Sequence, residues 1–350
     1  MIATLLSLYA AGTLSFSNTP ATSPHTMPWN DQTSLEATPV PQRNPAEIGP
    51  VIKAKSAIAV DLKNGLILYE KNIHDALPIA SLTKLMTGVI ILEENNVKET
   101  VEVSKNAART EGSKIWLAPG EDISVESLLY GILIPSANDA AVALAEHNAD
   151  SVEKFVEKMN NKALELGLIA TTFVNPTGLN EPPDNQVLPG KSGSPASGTP
   201  STQETVTTRG KAATGETAQA GQTAAEILGL NETPSKRLQN YSTAYDLTLL
   251  ARYAYGKSFV RRAVIKKEME VSSTDEKTIH KFKNTNELLD SYLNVLGLKT
   301  GTTDEAGECL IAIIENEQGH DILTVVLNSP DRYRETKILA DWVFRAYKWN

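Results

Sequence analysis

The pattern of hydrophobic and polar positions changes along the chain, and the first regular pattern is that of a β-hairpin. Residues 56–62 and 66–70 are two β-like runs separated by Lys63-Asn64-Gly65. Asn-Gly between such runs is the strongest short hairpin signal. The next apolar run predicts a helix that begins at Ser81 and ends near Glu94.

Three further patterns predict a helical block. Ser124 is a suitable N-cap for a helix from Val125 to Leu133. Residues 138–147 are rich in alanine and apolar on one side. Residues 151–166 are amphipathic and end at Gly167, a residue type that favours helix C-caps.

After residue 242 the pattern changes from helix to strand. Thr243 and Asp246 have capping-box spacing for a helix that ends at Gly256. Arg332 begins a final amphipathic helix that we expect to end at Lys348. Between them, candidate strands cover residues 269–272, 295–303, 308–314 and 322–327. An order of sheet, helices, sheet and closing helix predicts an α/β (α+β) fold with a split sheet.

Two stretches lack such periodicity. Residues 17–50 are rich in Pro, Ser, Thr and Asn, which predicts a disordered tether, with order beginning near Val51. Residues 181–236 have few large apolar residues and predict a low-complexity, disordered insertion that acts as a spacer, with one helical turn at 224–230. Residues 51–350 are then expected to form one domain that carries this insertion.

The first 16 residues are weakly apolar and too short to span a bilayer. Their length suits the apolar core of a signal peptide, although the basic residues that should precede it are missing. We therefore interpret residues 1–16 as a truncated signal or leader. The alternatives are a start assigned too late and a segment that is not a signal.

Composition narrows the function further. The chain has 350 residues, and its net charge of −9 argues against nucleic acid and anionic membrane surfaces as partners. Cys309 is the single cysteine, so no intrachain disulfide forms, and we expect a small core hydrophobe there. The five histidines are scattered without ligand-like spacing, which argues against a zinc site.

The candidate chemistry begins with Ser81-x-x-Lys84. A helix places residues i and i+3 on one face, so the hydroxyl and the amine are expected to lie side by side. Serine becomes a nucleophile when a base takes its proton, and a lysine is that base if burial and neighbouring cations keep it neutral. The motif alone is weak, because Ser151-x-x-Lys154 matches it in a highly charged helix.

Two downstream motifs strengthen the hypothesis. Ser136-Ala137-Asn138 lies between two predicted helices, and Lys299-Thr300-Gly301 lies in a predicted strand. Ser136 alone fits an N-cap, and Lys299 alone fits a charge at a strand edge. The ordered set of three motifs, each in a fitting element, is typical of class A β-lactamases and penicillin-binding proteins.

The chain resembles the serine D-alanyl-D-alanine carboxypeptidases, which are low-molecular-mass penicillin-binding proteins. The resemblance covers about residues 53–347, interrupted by the insertion. It implies an antiparallel sheet flanked by N- and C-terminal helices, with an inserted all-helical subdomain. Beyond the three motifs, it rests on Ile79-Ala-Ser-Leu-Thr-Lys-Leu-Met-Thr87, Phe173-Val-Asn-Pro-Thr-Gly-Leu179, Ser242-Thr-Ala-Tyr-Asp246 and Gly297-Leu-Lys-Thr-Gly-Thr-Thr-Asp-Glu-Ala-Gly307.

The resemblance also implies a division of roles. Ser81 attacks the carbonyl between two terminal D-alanines, Lys84 accepts its proton, and Ser136 relays a proton to the leaving amine. Asn138 is expected to hydrogen-bond Lys84 and the substrate amide. The terminal carboxylate is expected to meet a fixed positive charge on Lys299, the hydroxyls of Thr300 and Thr302, and Arg332.

Gly301, which has no side chain, leaves the strand free to pair with an extended peptide. By resemblance, the backbone N–H groups of Ser81 and Thr302 form the oxyanion hole. The reaction needs no metal and no cofactor. The expected substrate is the stem peptide of peptidoglycan, β-lactams are expected inhibitors, and the expected location is the bacterial cell envelope, where the leader would act as a tether.

The sequence departs from the family at several points and leaves alternatives open. Ala137 stands where glycine is common in the family. We also expect neither the family's second β domain nor its amphipathic C-terminal anchor after the last predicted helix. One alternative is an endopeptidase that cuts peptide cross-links. A class A β-lactamase would need a glutamate on a loop, for which Glu181 is a superficial candidate. The third alternative is a non-catalytic protein that binds stem peptides.

Overall fold

The computed structural model describes residues 40–180 and 239–349, in which strands and helices alternate along the chain. The strands are β1 (Gln42–Arg43), β2 (Ser56–Asp61), β3 (Ile67–Lys71), β4 (Leu77–Pro78), β5 (Thr100–Glu102), β6 (Asp122–Ser124), β7 (Tyr241–Ser242), β8 (Glu268–Ser272), β9 (Ile279–Lys283), β10 (Asn294–Thr303), β11 (Gly307–Glu315), β12 (Asp321–Ser329) and β13 (Tyr347–Lys348). The helices are α1 (Lys84–Glu94), α2 (Lys105–Arg109), α3 (Val125–Leu133), α4 (Asn138–Ala149), α5 (Val152–Glu165), α6 (Ala244–Gly256), α7 (Ser258–Val264) and α8 (Arg332–Ala346). Two 3-10 turns cover Ala80–Thr83 and Glu287–Asp290.

The main sheet has five strands in the order β10-β11-β12-β2-β3, all antiparallel to their neighbours. Strand β2 is buried along its whole length because both faces of the sheet are covered. Ala57 and Ala59 pack on one side with Leu339 and Val343 of α8, while Ile58 and Val60 belong to the larger core on the other side. The alternation of side chains along a strand produces these two layers.

The larger core joins the sheet to a helical subdomain. Helix α6 packs on strands β12 and β2, and α1 lies between α6 and the helices α3, α4 and α5. Cys309 is buried in this core, which confirms its expected role as a small hydrophobe. The antiparallel sheet, the closing helix and the inserted helices confirm the predicted fold class.

Capping residues confirm where several of the predicted helices begin or end. The hydroxyls of Ser124 and Ser151 accept N–H bonds at the starts of α3 and α5, and Gly167 takes a left-handed φ of 73° after α5. Thr243 likewise caps α6 by accepting from the N–H of Asp246. The carboxylate of Asp246 does not complete a capping box, because it accepts from Ala170 N and Thr171 Oγ1 instead.

Other expectations were wrong. Regular structure begins before Val51, because β1 pairs with β13. The predicted 17–50 tether therefore extends too far toward the C-terminus. Helices α6 and α8 both pack on strand β12, with α6 in the larger core and α8 in the smaller one. Strand β9 and helix α7 were not predicted, and the last helix ends at Ala346, with Tyr347 and Lys348 in a strand.

The leader, the tether up to residue 39, the insertion at 181–236 and its helical turn at 224–230 lie outside the described residues, so they stay predictions. Within residues 40–180 and 239–349, every helix is too short or too polar to cross a bilayer.

Candidate active site

Ser81 lies on the 3-10 turn Ala80–Thr83, immediately before helix α1. The turn is tight: Ala80 has a left-handed φ of 46°, and the hydroxyl of Thr83 donates to Ala80 O at 2.8 Å. The predicted helix therefore begins as a 3-10 turn. This geometry fixes the backbone on both sides of the Ser81 hydroxyl.

Lys84 is fully buried and reaches that hydroxyl. Its Nζ lies 2.8 Å from Ser81 Oγ and 2.7 Å from the carbonyl oxygen of Thr177. Burial lowers the pKa of Lys84 well below its ordinary value, and the positive charge of Lys299 lowers it further, against a smaller opposing effect of Asp139. A neutral amine in contact with the hydroxyl is the arrangement that general-base activation requires.

Residues 175–179 form the support behind Lys84. Asn175 Oδ1 accepts the N–H of Thr177 at 3.1 Å and that of Gly178 at 2.7 Å, which bends the chain so that Thr177 O points at the lysine. Gly178 has a φ of 83°, and a Cβ placed there would lie 1.9 Å from Ala80 O. A glycine is therefore required where this segment touches the nucleophile turn.

Asn240 joins this segment to the nucleophile turn. Its side-chain amide donates to Thr83 Oγ1 at 2.8 Å and to Asn175 O at 2.9 Å, and its Oδ1 accepts the N–H of Val174 at 2.7 Å. Its main-chain oxygen accepts from Ile79 N. Sequence reasoning missed Asn240 because no local motif marks it.

The second and third motifs meet at a second buried lysine. Lys299 Nζ on β10 donates to Ser136 Oγ at 2.8 Å and to Thr300 O at 2.9 Å. Ser136 is buried and has a left-handed φ of 64° between α3 and α4. Burial and Arg332 lower the pKa of Lys299 to about 7, so its charge is not fixed at neutral pH, contrary to expectation.

Asn138 begins helix α4, but it does not make the expected bond to Lys84. Its Nδ2 donates to Glu111 O at 2.8 Å, its backbone N–H donates to Ser113 O at 2.7 Å, and its buried Oδ1 has no partner among the described residues. An unpartnered acceptor of this kind is free to receive an N–H from a substrate.

Gly301 on β10 packs directly against the nucleophile turn. A Cβ at this position would lie 3.0 Å from both Ile79 O and Ser81 N. The missing side chain thus allows the third motif to approach the first. Together with the Lys299–Ser136 bond, this contact brings all three sequence motifs into one site.

Thr300 and Thr302 differ in their surroundings. Thr300 is buried, and its hydroxyl shares a hydrogen bond of 2.6 Å with the hydroxyl of Thr285, a contact that the sequence did not indicate. Thr302 is exposed, and its hydroxyl accepts a hydrogen bond from Arg332 Nη1.

Arg332 lies at the start of α8 and points at the same strand. Its Nη1 donates to Gly301 O at 3.0 Å as well as to Thr302, and its buried Nε has no hydrogen-bond partner among the described residues. The carboxylate of Glu308 accepts the backbone N–H of Arg332 at 3.0 Å and lies 4.0 Å from Nε. Lys299 and Arg332 therefore converge on one stretch of β10, and the buried Nε of Arg332 lacks a hydrogen-bond partner among the described residues, which favours an anionic ligand. Within residues 40–180 and 239–349, no group of three or more His, Cys, Asp or Glu side chains is placed to hold a metal ion.

Comparisons with known proteins agree with this geometry. A family model described as D-alanyl-D-alanine carboxypeptidase, peptidase S11, matches residues 42–331. The chain is 32% identical over 303 residues to the D-alanyl-D-alanine carboxypeptidase DacF of Bacillus subtilis, an alignment that covers 85% of this chain and 63% of that protein. The chain thus spans less than two thirds of the length of that relative.

A D-alanyl-D-alanine endopeptidase of Pseudomonas aeruginosa is 26% identical over 282 residues, covering 80% of this chain and 72% of the relative. Among solved structures, the Streptomyces K15 DD-transpeptidase is 27% identical with a TM-score of 0.64, covering 85% of this chain and 99% of that one.

Proposed function

Because this chain belongs to the D-alanyl-D-alanine carboxypeptidase family, we propose that it removes the terminal D-alanine from peptidoglycan stem peptides through an acyl-enzyme on Ser81. The observation that carries the proposal is the fully buried Lys84, held 2.8 Å from Ser81 Oγ with its pKa lowered. A surface lysine of ordinary pKa would stay protonated and would not take the serine proton.

The acylation step uses the first two motifs. Ser81 Oγ forms a bond to the carbonyl carbon between the two D-alanines, and its proton moves to Lys84 Nζ. When the C–N bond breaks, Ser136 gives its proton to the leaving amine and is reprotonated from Lys84. A hydroxyl that both donates and accepts is suited to this relay.

Substrate binding uses the second motif and the strand wall, by which we mean Lys299–Thr302 of β10 together with Arg332. Lys299 and Arg332 attract the terminal carboxylate, and the hydroxyls of Thr300 and Thr302 complete its contacts. Asn138 Oδ1 accepts an N–H of the peptide. The backbone N–H groups of Ser81 and Thr302 bind the oxyanion, each worth about 3 kcal/mol of barrier. Gly301 keeps the strand edge open to the extended peptide.

A water then hydrolyses the acyl-enzyme, and no metal or cofactor takes part in the proposed reaction. β-Lactams, which present a reactive carbonyl and a carboxylate, are the inhibitors that this site would bind. The proposed location is outside the cytoplasm, in the bacterial cell envelope. There residues 1–16 would act as a leader, with the following residues as a tether.

The test is release of D-alanine from a pentapeptide that ends in D-Ala-D-Ala, with the wild type and with Ser81→Ala. The proposal predicts release by the wild type alone. Equal release by both proteins, or none by either, would contradict it.

The second candidate function is cleavage of peptide cross-links, because an endopeptidase of Pseudomonas aeruginosa is among the relatives. Digestion of cross-linked muropeptide dimers separates the two functions. Monomers formed at a rate comparable to D-alanine release would identify an endopeptidase.

A further inference from the structure

Two of the described non-glycine residues with left-handed backbone geometry, Ala80 and Ser136, belong to the active site. Residues other than Gly, Asn and Asp rarely adopt a positive φ, and for a bulky side chain it is an outlier. Besides Glu276, the described non-glycine residues of this kind are Ala80, Ser136 and Trp116, with φ values of 46°, 64° and 63°. Ala80 precedes the nucleophile and Ser136 belongs to the second motif. Trp116, which is the bulkiest, has no role in the reaction proposed above.

The backbone on both sides of Trp116 is firmly held. The buried carboxylate of Asp139 accepts the N–H of Ile115 at 3.1 Å and that of Leu117 at 3.1 Å. The carbonyl oxygen of Ile115 lies 2.9 Å from Nδ1 of His280, a buried residue. Ile115 and Leu117 are buried, whereas the indole of Trp116 is 77% exposed. The fold therefore fixes the main chain of an aromatic residue that contributes little to the core.

The loop that carries Trp116 borders the active site. Glu111 O and Ser113 O both accept hydrogen bonds from Asn138. A Cβ on Gly112, also in this loop, would lie 2.7 Å from Asn138 Nδ2 and 3.3 Å from the side chain of Leu179. Leu179 ends the segment whose Thr177 carbonyl holds Lys84. Residues 111–117 thus border the side of the cleft that carries Ser81, Lys84 and Asn138, which we call the nucleophile wall, whereas Arg332 lies on the strand wall.

The chemistry of the loop suits a peptide. The ammonium of Lys114 lies 5.2 Å from the centre of the Trp116 ring, so a cation and an aromatic surface are presented together. Aromatic rings stack on peptide groups and aliphatic side chains, and an ammonium pairs with a carboxylate. Strained residues occur at ligand clamps when the surrounding structure enforces them, as the Asp139 and His280 contacts do here.

We propose that Trp116, assisted by Lys114, binds the part of the stem peptide that precedes the two D-alanines. This inference rests on the proposed function, because that function places the terminal carboxylate at Lys299 and Arg332. The leaving D-alanine then lies at the strand wall, and the residues before the scissile bond extend past Asn138 toward Trp116. Trp116 is a specificity residue for long substrates and takes no part in proton transfer.

The experiment compares two substrates with wild type and Trp116→Ala. One is an N-acetylated D-Ala-D-Ala dipeptide, which ends before the proposed contact, and the other is the pentapeptide. We expect kcat/KM for the pentapeptide to fall about tenfold and that for the dipeptide to stay within about twofold. Trp116→Phe is expected to restore most of the pentapeptide rate, because a ring remains. Tyr292→Ala removes an equally exposed aromatic, 71% exposed and bonded to Asp341, and is expected to change neither rate.

An equal loss on both substrates would overturn the proposal in favour of a structural role, and an unchanged pentapeptide rate would overturn it outright. Binding of the pentapeptide to Ser81→Ala, with and without Trp116→Ala, provides a readout that needs no turnover. The added substitution is expected to weaken binding about tenfold, and equal affinities would contradict the inference. Absence of D-alanine release by the wild type would instead count against the proposed function, while this binding comparison still decides the role of Trp116.

Discussion

The two walls of the cleft each contain a buried lysine, but they place it among different groups. On the nucleophile wall, Lys84 touches a hydroxyl and a carbonyl oxygen, and the nearby carboxylate of Asp139 is occupied by backbone N–H groups of the 111–117 loop. On the strand wall, Lys299 likewise touches a hydroxyl and a carbonyl oxygen. The cation that lowers the pKa of Lys299 is Arg332, whereas the cation that lowers the pKa of Lys84 is Lys299 itself.

This difference separates two uses of a lysine. Lys84 lies beside the hydroxyl of the candidate nucleophile Ser81, so it is suited to act as a neutral base. Lys299 and Arg332 converge where an anion would satisfy both. A bound carboxylate would raise the pKa of Lys299 from about 7 and restore its charge. In the proposed reaction, substrate binding would thus add the charge of Lys299 to that of Arg332 on the strand wall.

The largest expected effect is that of Lys84→Arg. Arginine keeps a positive charge at any accessible pH and cannot accept the serine proton. We expect the rate of acylation by benzylpenicillin to fall by about a thousandfold or more, measured by mass spectrometry over time. Lys154→Arg is the matched control, because Lys154 has the same Ser-x-x-Lys spacing in an exposed position. Comparable loss in both variants would contradict a specific role for Lys84.

The support behind Lys84 is tested by Gly178→Ala. Both Gly178 and Gly167 have left-handed φ values, but a Cβ on Gly178 would collide with Ala80 O, whereas one on Gly167 would meet no atom within 4 Å. We expect Gly167→Ala to destabilise by about 1 kcal/mol and Gly178→Ala by about 3 kcal/mol or more, measured by denaturant unfolding. Equal losses of stability in the two variants would mean that residues 175–179 do not pack tightly against the turn that carries Ser81.

Arg332→Gln tests the strand wall. Loss of one carboxylate ligand is expected to raise KM for the pentapeptide about tenfold. It also removes a positive neighbour that lowers the pKa of Lys299, so that pKa rises. Because the proposed function binds the carboxylate through protonated Lys299, the fall of kcat/KM at alkaline pH should move to higher pH. Arg334→Gln, on an exposed neighbour in the same helix, serves as the control. If the fall of kcat/KM at alkaline pH stays at the same pH in Arg332→Gln, that result would contradict an effect of Arg332 on the pKa of Lys299.

The smallest effect is expected from Thr87→Val. The Thr87 hydroxyl donates to Pro176 O at 2.8 Å inside the nucleophile wall. Its loss leaves a buried carbonyl oxygen without this partner and should destabilise by about 1 kcal/mol, measured by thermal unfolding. Thr248→Val removes a hydroxyl that donates to Ala244 O within helix α6. Only the Thr87 variant is expected to slow acylation as well, and a slowing in both would point to a global cause.

Local patterns predicted local structure well. The hairpin at Asn64-Gly65 and the caps at Ser124 and Thr243 depend on neighbours in sequence, and the structure confirms them. The motif residues could also be predicted, because each motif is short. The contact of Lys84 with Thr177 O joins residues 93 apart in sequence, and no local pattern indicates it.

The same reason accounts for the other differences. Asn240 supports Thr83 across 157 residues, and Thr285 meets Thr300 through the fold rather than through a motif. Asn138 was expected to bond Lys84, but the main chain of residues 111–113 takes its donors. Strand β1 escaped prediction because its pairing partner, β13, lies at the other end of the chain.

The central claim is that Ser81, activated by Lys84, forms an acyl-enzyme. The most direct measurement is the intact mass of the wild type and of Ser81→Ala after incubation with benzylpenicillin. We predict a persistent mass increase of one drug molecule on the wild type and none on Ser81→Ala. No adduct on the wild type with the penicillin left intact, or an equal adduct on both proteins, would contradict the claim, and rapid consumption of penicillin without an adduct would indicate a β-lactamase.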